Sequence, residues 1–215
     1  KINTKTKAII PIHLGGHVGK LDEIYKFAKK NNLKVIEDAA HAFGTIYKNN
    51  KIGSYGDTIC FSFDGIKNIT SGEGGCVVSN NIDYINRIKS LRRLSLIPNN
   101  TKKKFYPFDV NEQGWRYHMS DIMAAIGIAQ LNKFNKIKNI IKKLAKKYDS
   151  IFKKYPDLIK IYKRDYDLVV PHIYIIKIIK SCDINQIRKI MIKMGIETGL
   201  NYFPAHLFSF YKSKK

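Results

Sequence analysis

The chain has 215 residues, and 44% of them are hydrophobic, which allows a buried core in one domain, or in one domain and part of a second. No apolar run is long enough to cross a membrane, and we recognise no signal peptide at the start. The net charge of +22 invites a nucleic-acid interpretation, but only six of the 39 basic residues are arginine, and no common nucleic-acid motif is present. We therefore expect no membrane partner and no specific nucleic-acid partner.

The three cysteines, Cys60, Cys76 and Cys182, are scattered, with no CxxC pair and no histidine at metal-ligand spacing. Two of them fall in predicted strands, where a cysteine is typically a small core residue in a reducing compartment. We expect a cytoplasmic protein without a disulfide framework and without a metal site.

A strand–helix–strand unit is predicted first. Residues 7–14 form an apolar strand, and residues 20–31 carry apolar side chains at helical spacing. Residues 33–38 (LKVIED) form a second, buried strand that ends in two carboxylates. Such a unit implies parallel strands with a right-handed crossover. We interpret His13, at the end of the first strand, as a hydrogen-bonded histidine rather than a ligand.

The functional interpretation depends on residues 57–75 (DTICFSFDGIKNITSGEGG). A short apolar strand leads to a turn that carries Lys67, and a glycine-rich return leads to another strand at 76–78. Lys67 is the only lysine between Lys51 and Lys89. A lysine between buried strands favours a desolvated amine, which is easily made nucleophilic and can form a Schiff base. The alternative is a surface lysine in an ordinary hairpin turn.

Asp38 is expected at the same rim of the sheet as Lys67, because ligands of open α/β sheets lie beyond the carboxyl ends of the strands. A pyridoxal phosphate site needs such a pair. The lysine binds the cofactor covalently, and the acid keeps its pyridine nitrogen protonated. The alternative for Asp38 is a helix cap or a solvated strand end.

The next predicted elements are a helix at 82–94 and a loop at 96–114 with a lysine triplet at 102–104. The longest helix starts at Ser120 and stops at Pro156, and its polar face is rich in lysine. A basic amphipathic helix can lie on a membrane or present a solvated face.

The last part of the chain alternates again between strand and helix patterns. Residues 168–179 are almost continuously apolar and predict a buried strand. Residues 183–194 predict a helix closed by Gly195, and residues 196–203 predict another strand.

Five segments of the chain resemble the DegT-type family of nucleotide-sugar aminotransferases, which are fold-type-I pyridoxal-phosphate enzymes. They are PIHLGGH, VIEDAAHAFGTIYKNNKIGSYGD, CFSFDGIKNITSGEGGCVVSN, GWRYHMSDIMAAIGIAQL (114–131) and GIETGLNYFPAHL (195–207). The resemblance implies an α/β fold of the aspartate aminotransferase type. Residues 1–119 would belong to the large domain with a mostly parallel sheet, 120–156 to a linking helix, and 157–215 to the start of an α+β small domain. Because a linking helix joins two domains, we expect its lysine-rich face to be solvated rather than to lie on a membrane.

The resemblance also implies the site residues. Lys67, in SFDGIK, corresponds to the lysine that binds pyridoxal 5'-phosphate and later moves a proton between substrate and cofactor. Asp38 corresponds to the acid at the pyridine nitrogen, and His41 to the polar residue at the phenolic oxygen of the ring. Ser62 corresponds to the serine that contacts the phosphate. Arg116 stands where the family has an asparagine that reaches the phosphate of the neighbouring subunit, so a homodimer with shared sites is implied.

The reaction implied is transfer of an amino group from glutamate to a keto-sugar carried on a nucleoside diphosphate, as in amino-sugar biosynthesis for polysaccharide or glycan. Some relatives dehydrate sugars and carry histidine at the lysine position, so Lys67 favours transfer over dehydration. Family members also have segments before the position of Lys1, including a helix N-terminus that holds the phosphate, and after that of Lys215. A truncated, non-catalytic remnant or pairing subunit is therefore the alternative. Because the phosphate-binding helix N-terminus belongs to the preceding segment, we expect residues 1–215 alone to bind the cofactor poorly, to aggregate and to transfer no amino group. Adding such an N-terminal segment should restore cofactor binding.

Overall fold

The computed structural model describes residues 2–98 and 107–211. These residues form four α-helices, ten short strands and two 3-10 turns. In chain order they are β1 (Ala8–Ile9), a 3-10 turn (Leu14–Gly16), α1 (Leu21–Lys30), β2 (Lys34–Asp38), β3 (Ile46–Tyr47), β4 (Asn50–Lys51), β5 (Thr58–Ser62), β6 (Gly75–Val78), α2 (Ile82–Leu91), β7 (Leu96–Pro98), β8 (Phe108–Val110), α3 (Asp121–Phe152), β9 (Ile159–Ile161), β10 (Ile176–Ile178), α4 (Ile184–Lys193) and a 3-10 turn (Ala205–Leu207).

A four-stranded sheet in the order β1-β2-β5-β6 is the centre of the fold. The pairs β1–β2 and β2–β5 are parallel, whereas β5 and β6 form an antiparallel pair. Asp38 lies opposite Cys60 in this sheet, and Ser62 lies opposite Gly75. The mostly parallel sheet and the strand–helix–strand unit predicted from the sequence are therefore confirmed.

Helix α1 packs its apolar face on this sheet. Leu21 and Ile59 of β5, each 1% exposed, belong to one buried cluster, and Ala28, 2% exposed, belongs to a second cluster with Val35 of β2. The charges of α1 match its dipole, with acids in the first turn and lysines in the last turn. This core therefore holds in place the strands at whose carboxyl ends the sequence predicts the site.

Gly16 lets a distant part of the chain approach these strand ends. Its φ of +87° is in the left-handed region, and a Cβ on it would lie 2.2 Å from the carbonyl oxygen of Val170. The Val170 N–H donates to Thr45 Oγ1 (3.1 Å), and Thr45 Oγ1 donates to the Gly16 carbonyl (3.2 Å). Residues 168–172 are therefore held against the loop that follows β1.

Helix α3 confirms the long helix predicted from Ser120 onward. The Ser120 side chain caps it by accepting a hydrogen bond from Met123 N–H (3.3 Å), and the helix ends at Phe152, four residues before Pro156. None of the helices in the described ranges is both long and apolar enough to span a membrane.

Two strand predictions in the last part of the chain are wrong. Of residues 168–179 only Ile176–Ile178 forms a strand, paired antiparallel with the unpredicted β9. The preceding residues instead pack irregularly against the loop at Gly16. Residues 196–203 form no strand, and their described backbone pairs with no neighbouring strand.

Smaller differences concern element ends. The first strand is shorter than predicted, because only β1 forms a ladder and Ile12 makes an isolated bridge with Asp38. Pro11, which lies between β1 and Ile12, has no N–H to donate to a neighbouring strand. Helix α2 ends at Leu91 rather than at residue 94. The predicted loop at 96–114 contains the β7–β8 hairpin, and the lysine triplet at 102–104 lies outside the described residues.

Candidate active site

A cavity of about 260 Å³ opens at the carboxyl ends of β2 and β5. This is close to the lower end of small-molecule pockets, at roughly 300 Å³. Asp38, His41 and Lys67 all line it. The complete lining is Ile12, His13, Leu14, Asp38, Ala40, His41, Lys67 and Tyr202.

Asp38 is held by the backbone around it. Its N–H donates to the Pro11 carbonyl (2.9 Å), and its own carbonyl accepts from His13 N–H (3.0 Å). Its carboxylate Oδ1 accepts from Ala40 N–H (3.1 Å). A carboxylate fixed in this way at a strand end can receive a hydrogen bond from a protonated ring nitrogen.

Lys67 lies in the turn that follows β5, as the glycine-rich pattern predicted. Its N–H donates to the Asp64 carbonyl (3.0 Å), and Asp64 Oδ1 accepts from Ile66 N–H (3.0 Å). The Lys67 side chain is half-buried, and it forms no salt bridge with any residue in the described ranges. Its amine is thus available to a ligand in the cavity.

His41 places an imidazole beside this lysine. Its Nδ1 accepts a hydrogen bond from Gly15 N–H (3.3 Å). Burial lowers the pKa of His41, and the nearby Lys67 charge lowers it further, while Asp38 acts in the opposite direction. The neutral ring therefore carries its proton on Nε2 and can donate a hydrogen bond from there.

His172 is a residue that sequence reasoning missed. Its ring centroid is 4.2 Å from that of His41, and its Nδ1 is 3.3 Å from Asn68 Oδ1. Burial, then His41 and Lys67, lower the pKa of His172 to about 4. The one available signal was a histidine inside the apolar stretch 168–179, which was predicted only as a buried strand.

His13, which also lines the cavity, forms a buried network with Glu37. The two side chains are each 1% exposed, and His13 Nε2 is 2.8 Å from Glu37 Oε2. Tyr25 donates its hydroxyl hydrogen to Glu37 Oε1 (2.7 Å). The interpretation of His13 as a hydrogen-bonded histidine is confirmed, and its Nδ1 has no partner among the described residues.

The other two predicted residues, Ser62 and Arg116, do not line this cavity. Ser62 ends β5, is half-buried, and accepts from Asp64 N–H at its Oγ (3.4 Å). Arg116 is exposed, in a segment that pairs with the backbone near Arg93. Their predicted phosphate contacts stay predictions.

Size alone does not single out this cavity. A cavity of about 540 Å³ lies between β5, β6 and α2, but its lining is largely apolar and pairs no lysine with an acid. Two other cavities also contain lysine and aspartate, one at Lys34 and one at Lys142, but only the smaller cavity places such a pair at the carboxyl ends of the parallel strands among the described residues. Its lysine and carboxylate match the aldehyde and the ring nitrogen of pyridoxal phosphate. The donor set therefore fits this cofactor.

Residues 1–215 match the DegT/DnrJ/EryC1/StrS aminotransferase family along their whole length. The chain belongs to this family. The resemblance seen in the five sequence segments is thereby confirmed.

Among curated relatives, the chain is 38% identical over 216 residues to the UDP-4-amino-4,6-dideoxy-N-acetyl-beta-L-altrosamine transaminase of Campylobacter jejuni. This match covers 99% of the chain and 56% of the relative. The chain thus spans about half the length of the curated relatives it matches.

Solved structures agree on the fold. PseC of Helicobacter pylori, an aminotransferase involved in the biosynthesis of pseudoaminic acid, matches with a TM-score of 0.87 and 29% identity, over 98% of this chain and 56% of PseC. The PLP-form of the putative sugar aminotransferase Spr1654 of Streptococcus pneumoniae matches with a TM-score of 0.85 and 26% identity, over 98% of this chain and 58% of Spr1654. The predicted fold of the pyridoxal-phosphate sugar aminotransferases is therefore confirmed.

Proposed function

We propose that the protein is a pyridoxal-phosphate-dependent aminotransferase that moves an amino group from glutamate to a nucleotide-linked keto-sugar. The observation that carries this proposal is the presence of Lys67 and Asp38 in one cavity at the strand ends. The transaminase relative from Campylobacter jejuni supports the substrate class. Amino-sugar biosynthesis in the cytoplasm is the corresponding process.

Each residue has a role in this proposal. When bound, pyridoxal phosphate supplies the electron sink that protein side chains lack. The Lys67 amine binds the cofactor and then moves a proton to and from the substrate carbon. Asp38 holds a proton at the pyridine nitrogen, and His41 donates from Nε2 to the phenolic oxygen.

The phosphate and the subunit arrangement belong to the same proposal. Ser62 would contact the phosphate, and Arg116 would reach the phosphate of a neighbouring subunit in a homodimer, where its planar fork suits two phosphate oxygens. The exposure of Arg116 leaves it free to act across such an interface. We also retain the division into large domain (1–119), linking helix (120–156) and small domain (157–215).

Covalent labelling tests the proposal. The purified protein is incubated with pyridoxal phosphate, reduced with borohydride and digested for peptide mass mapping. We expect the adduct on the peptide that contains Lys67, and no adduct in Lys67→Arg. Lys89→Arg, which changes an exposed lysine of α2, is the matched control and should label like the unmodified protein.

Two outcomes would contradict the proposal. An adduct on another lysine, with Lys67 unmodified, would remove the assigned nucleophile. If Lys67 is labelled, Asp38→Asn should lower amino transfer by about a hundredfold or more while the unfolding midpoint stays similar, because it removes the charge that keeps the pyridine nitrogen protonated. An equal loss of activity and stability would give Asp38 a structural role only.

A further inference from the structure

His172 contacts two parts of the candidate site at once. Its ring packs against His41 with 4.2 Å between centroids and 51° between planes. Its Nδ1 pairs with Oδ1 of Asn68, the residue directly after Lys67. The His172 N–H also approaches the Gly15 carbonyl (3.4 Å), next to the amide that binds His41.

We infer that His172 is a positioning residue that holds His41 with its Nε2–H toward the cavity, an inference that rests on the function proposed above. Among the described residues, no hydrogen bond, ion pair or ring contact joins His172 to Lys67. His172 acts through His41 and through the turn at Asn68.

The hydrogen bond at Nδ1 of His41 defines the ring orientation that His172 holds. Gly15 N–H donates to its Nδ1, so the proton of the neutral ring is on Nε2. Rotating the ring would break that bond and would also require room that the His172 ring occupies. A donor fixed in this way suits an oxygen acceptor such as the phenolic oxygen of pyridoxal phosphate.

The burial and the charges around His172 favour its neutral form. The titratable groups that act on it are His41, Lys67 and Asp64, and burial is the largest influence. The first two lower the pKa of His172, and Asp64 raises it, with a result of about 4. His172 is therefore uncharged near pH 7 and adds no positive charge beside Lys67 or His41.

The test is a histidine NMR titration of the cofactor-free protein, in the unmodified form and as His172→Ala and His172→Phe. In the unmodified protein the His41 midpoint should lie below 6.5, and in His172→Ala it should rise toward 6.5 because water reaches the ring. His172→Phe retains an aromatic cover and should keep the midpoint low. An unchanged His41 midpoint in folded His172→Ala would overturn the inference.

A second measurement links this contact to the cofactor. Titration with pyridoxal phosphate, followed by absorbance, should show about fivefold weaker binding in His172→Ala, the effect of one poorly placed hydrogen bond. His41→Ala should weaken binding by at least as much, and the double variant should add little, because both changes remove the same donor. Fully additive losses would show that His172 does not act through His41. If no variant, including the unmodified protein, binds the cofactor, the proposed function fails, and the NMR titration still decides whether His172 positions His41.

Discussion

The part of the chain from 21 to 71 and the part from 157 to 211 contain similar apolar patterns but bury them very differently. Nine of the eleven buried hydrophobic residues among those described lie between 21 and 71. Helix α4 in the later part has no buried residue, and its sheet consists only of β9 and β10. An apolar pattern therefore leads to burial only where neighbouring elements supply a second face.

A polar cluster links the later part to α3, in addition to the contacts of residues 168–172 with the loop at Gly16. Asp149 of α3 accepts from the Tyr174 hydroxyl (2.6 Å) and the Tyr166 hydroxyl (2.7 Å). Arg164, whose side chain is 1% exposed, lies 3.4 Å from the Asp149 carboxylate and 4.3 Å from the Tyr174 ring centroid. These groups join α3 to the segment after β9, together with contacts of the Tyr174 ring with aromatic rings of α3.

The largest expected effect comes from comparing a core residue of the earlier part with an exposed residue of the later part. Ile59→Ala should lower the free energy of unfolding by about 3–4 kcal/mol, because it opens a cavity at a residue that is 1% exposed. The matched change Ile190→Ala, at a residue 52% exposed on α4, should cost less than about 0.5 kcal/mol. Urea unfolding measures both. Equal losses would mean that α4 is covered in solution and that the contrast between the two parts is wrong.

A smaller effect is expected from the polar cluster. Asp149→Ala should cost about 2–3 kcal/mol, because it leaves the buried Arg164 guanidinium without its carboxylate, although the Tyr162 and Ile175 carbonyls still accept from it. Asp157→Ala, at an exposed aspartate of the same part, is the control. A cost for Asp149→Ala no larger than that of the control would show that the cluster contributes little to stability.

The smallest effect is a pH dependence of the same cluster. Burial, followed by the hydrogen bond to Asp149, raises the pKa of Tyr166 from 10.0 to about 12. Between these values the unfolded chain loses the proton first, so the contribution of Tyr166 is complete below pH 10 and is lost as the pH rises toward 12. Tyr166→Phe should reduce the fall in the urea midpoint over this range, whereas Tyr211→Phe, at an exposed residue, should leave it unchanged. The same slope in all three proteins would remove Tyr166 as a source of the pH dependence.

The errors in the sequence predictions follow the same division. Helix α1 and strand β2 were predicted with bounds within one residue, because their apolar spacing matches the face that each one buries. Residues 168–179 have an equally apolar sequence, but Val170 is buried against the loop at Gly16 instead of in a sheet. A local apolar pattern indicates which residues avoid water, but it does not indicate what they pack against.

By itself, the sequence determined the family, the parallel strand unit, and the turn that carries Lys67 beside the strand ending at Asp38. These features depend on short-range order: strand length, helical spacing, and glycines at fixed positions. The tertiary structure alone decided that the His172 ring packs against His41 and that His172 pairs with Asn68, 104 positions earlier in the chain. That contact requires α3 to return the chain to the sheet and Gly16 to admit the Val170 backbone. Contacts across such separations depend on packing geometry, which no local pattern specifies.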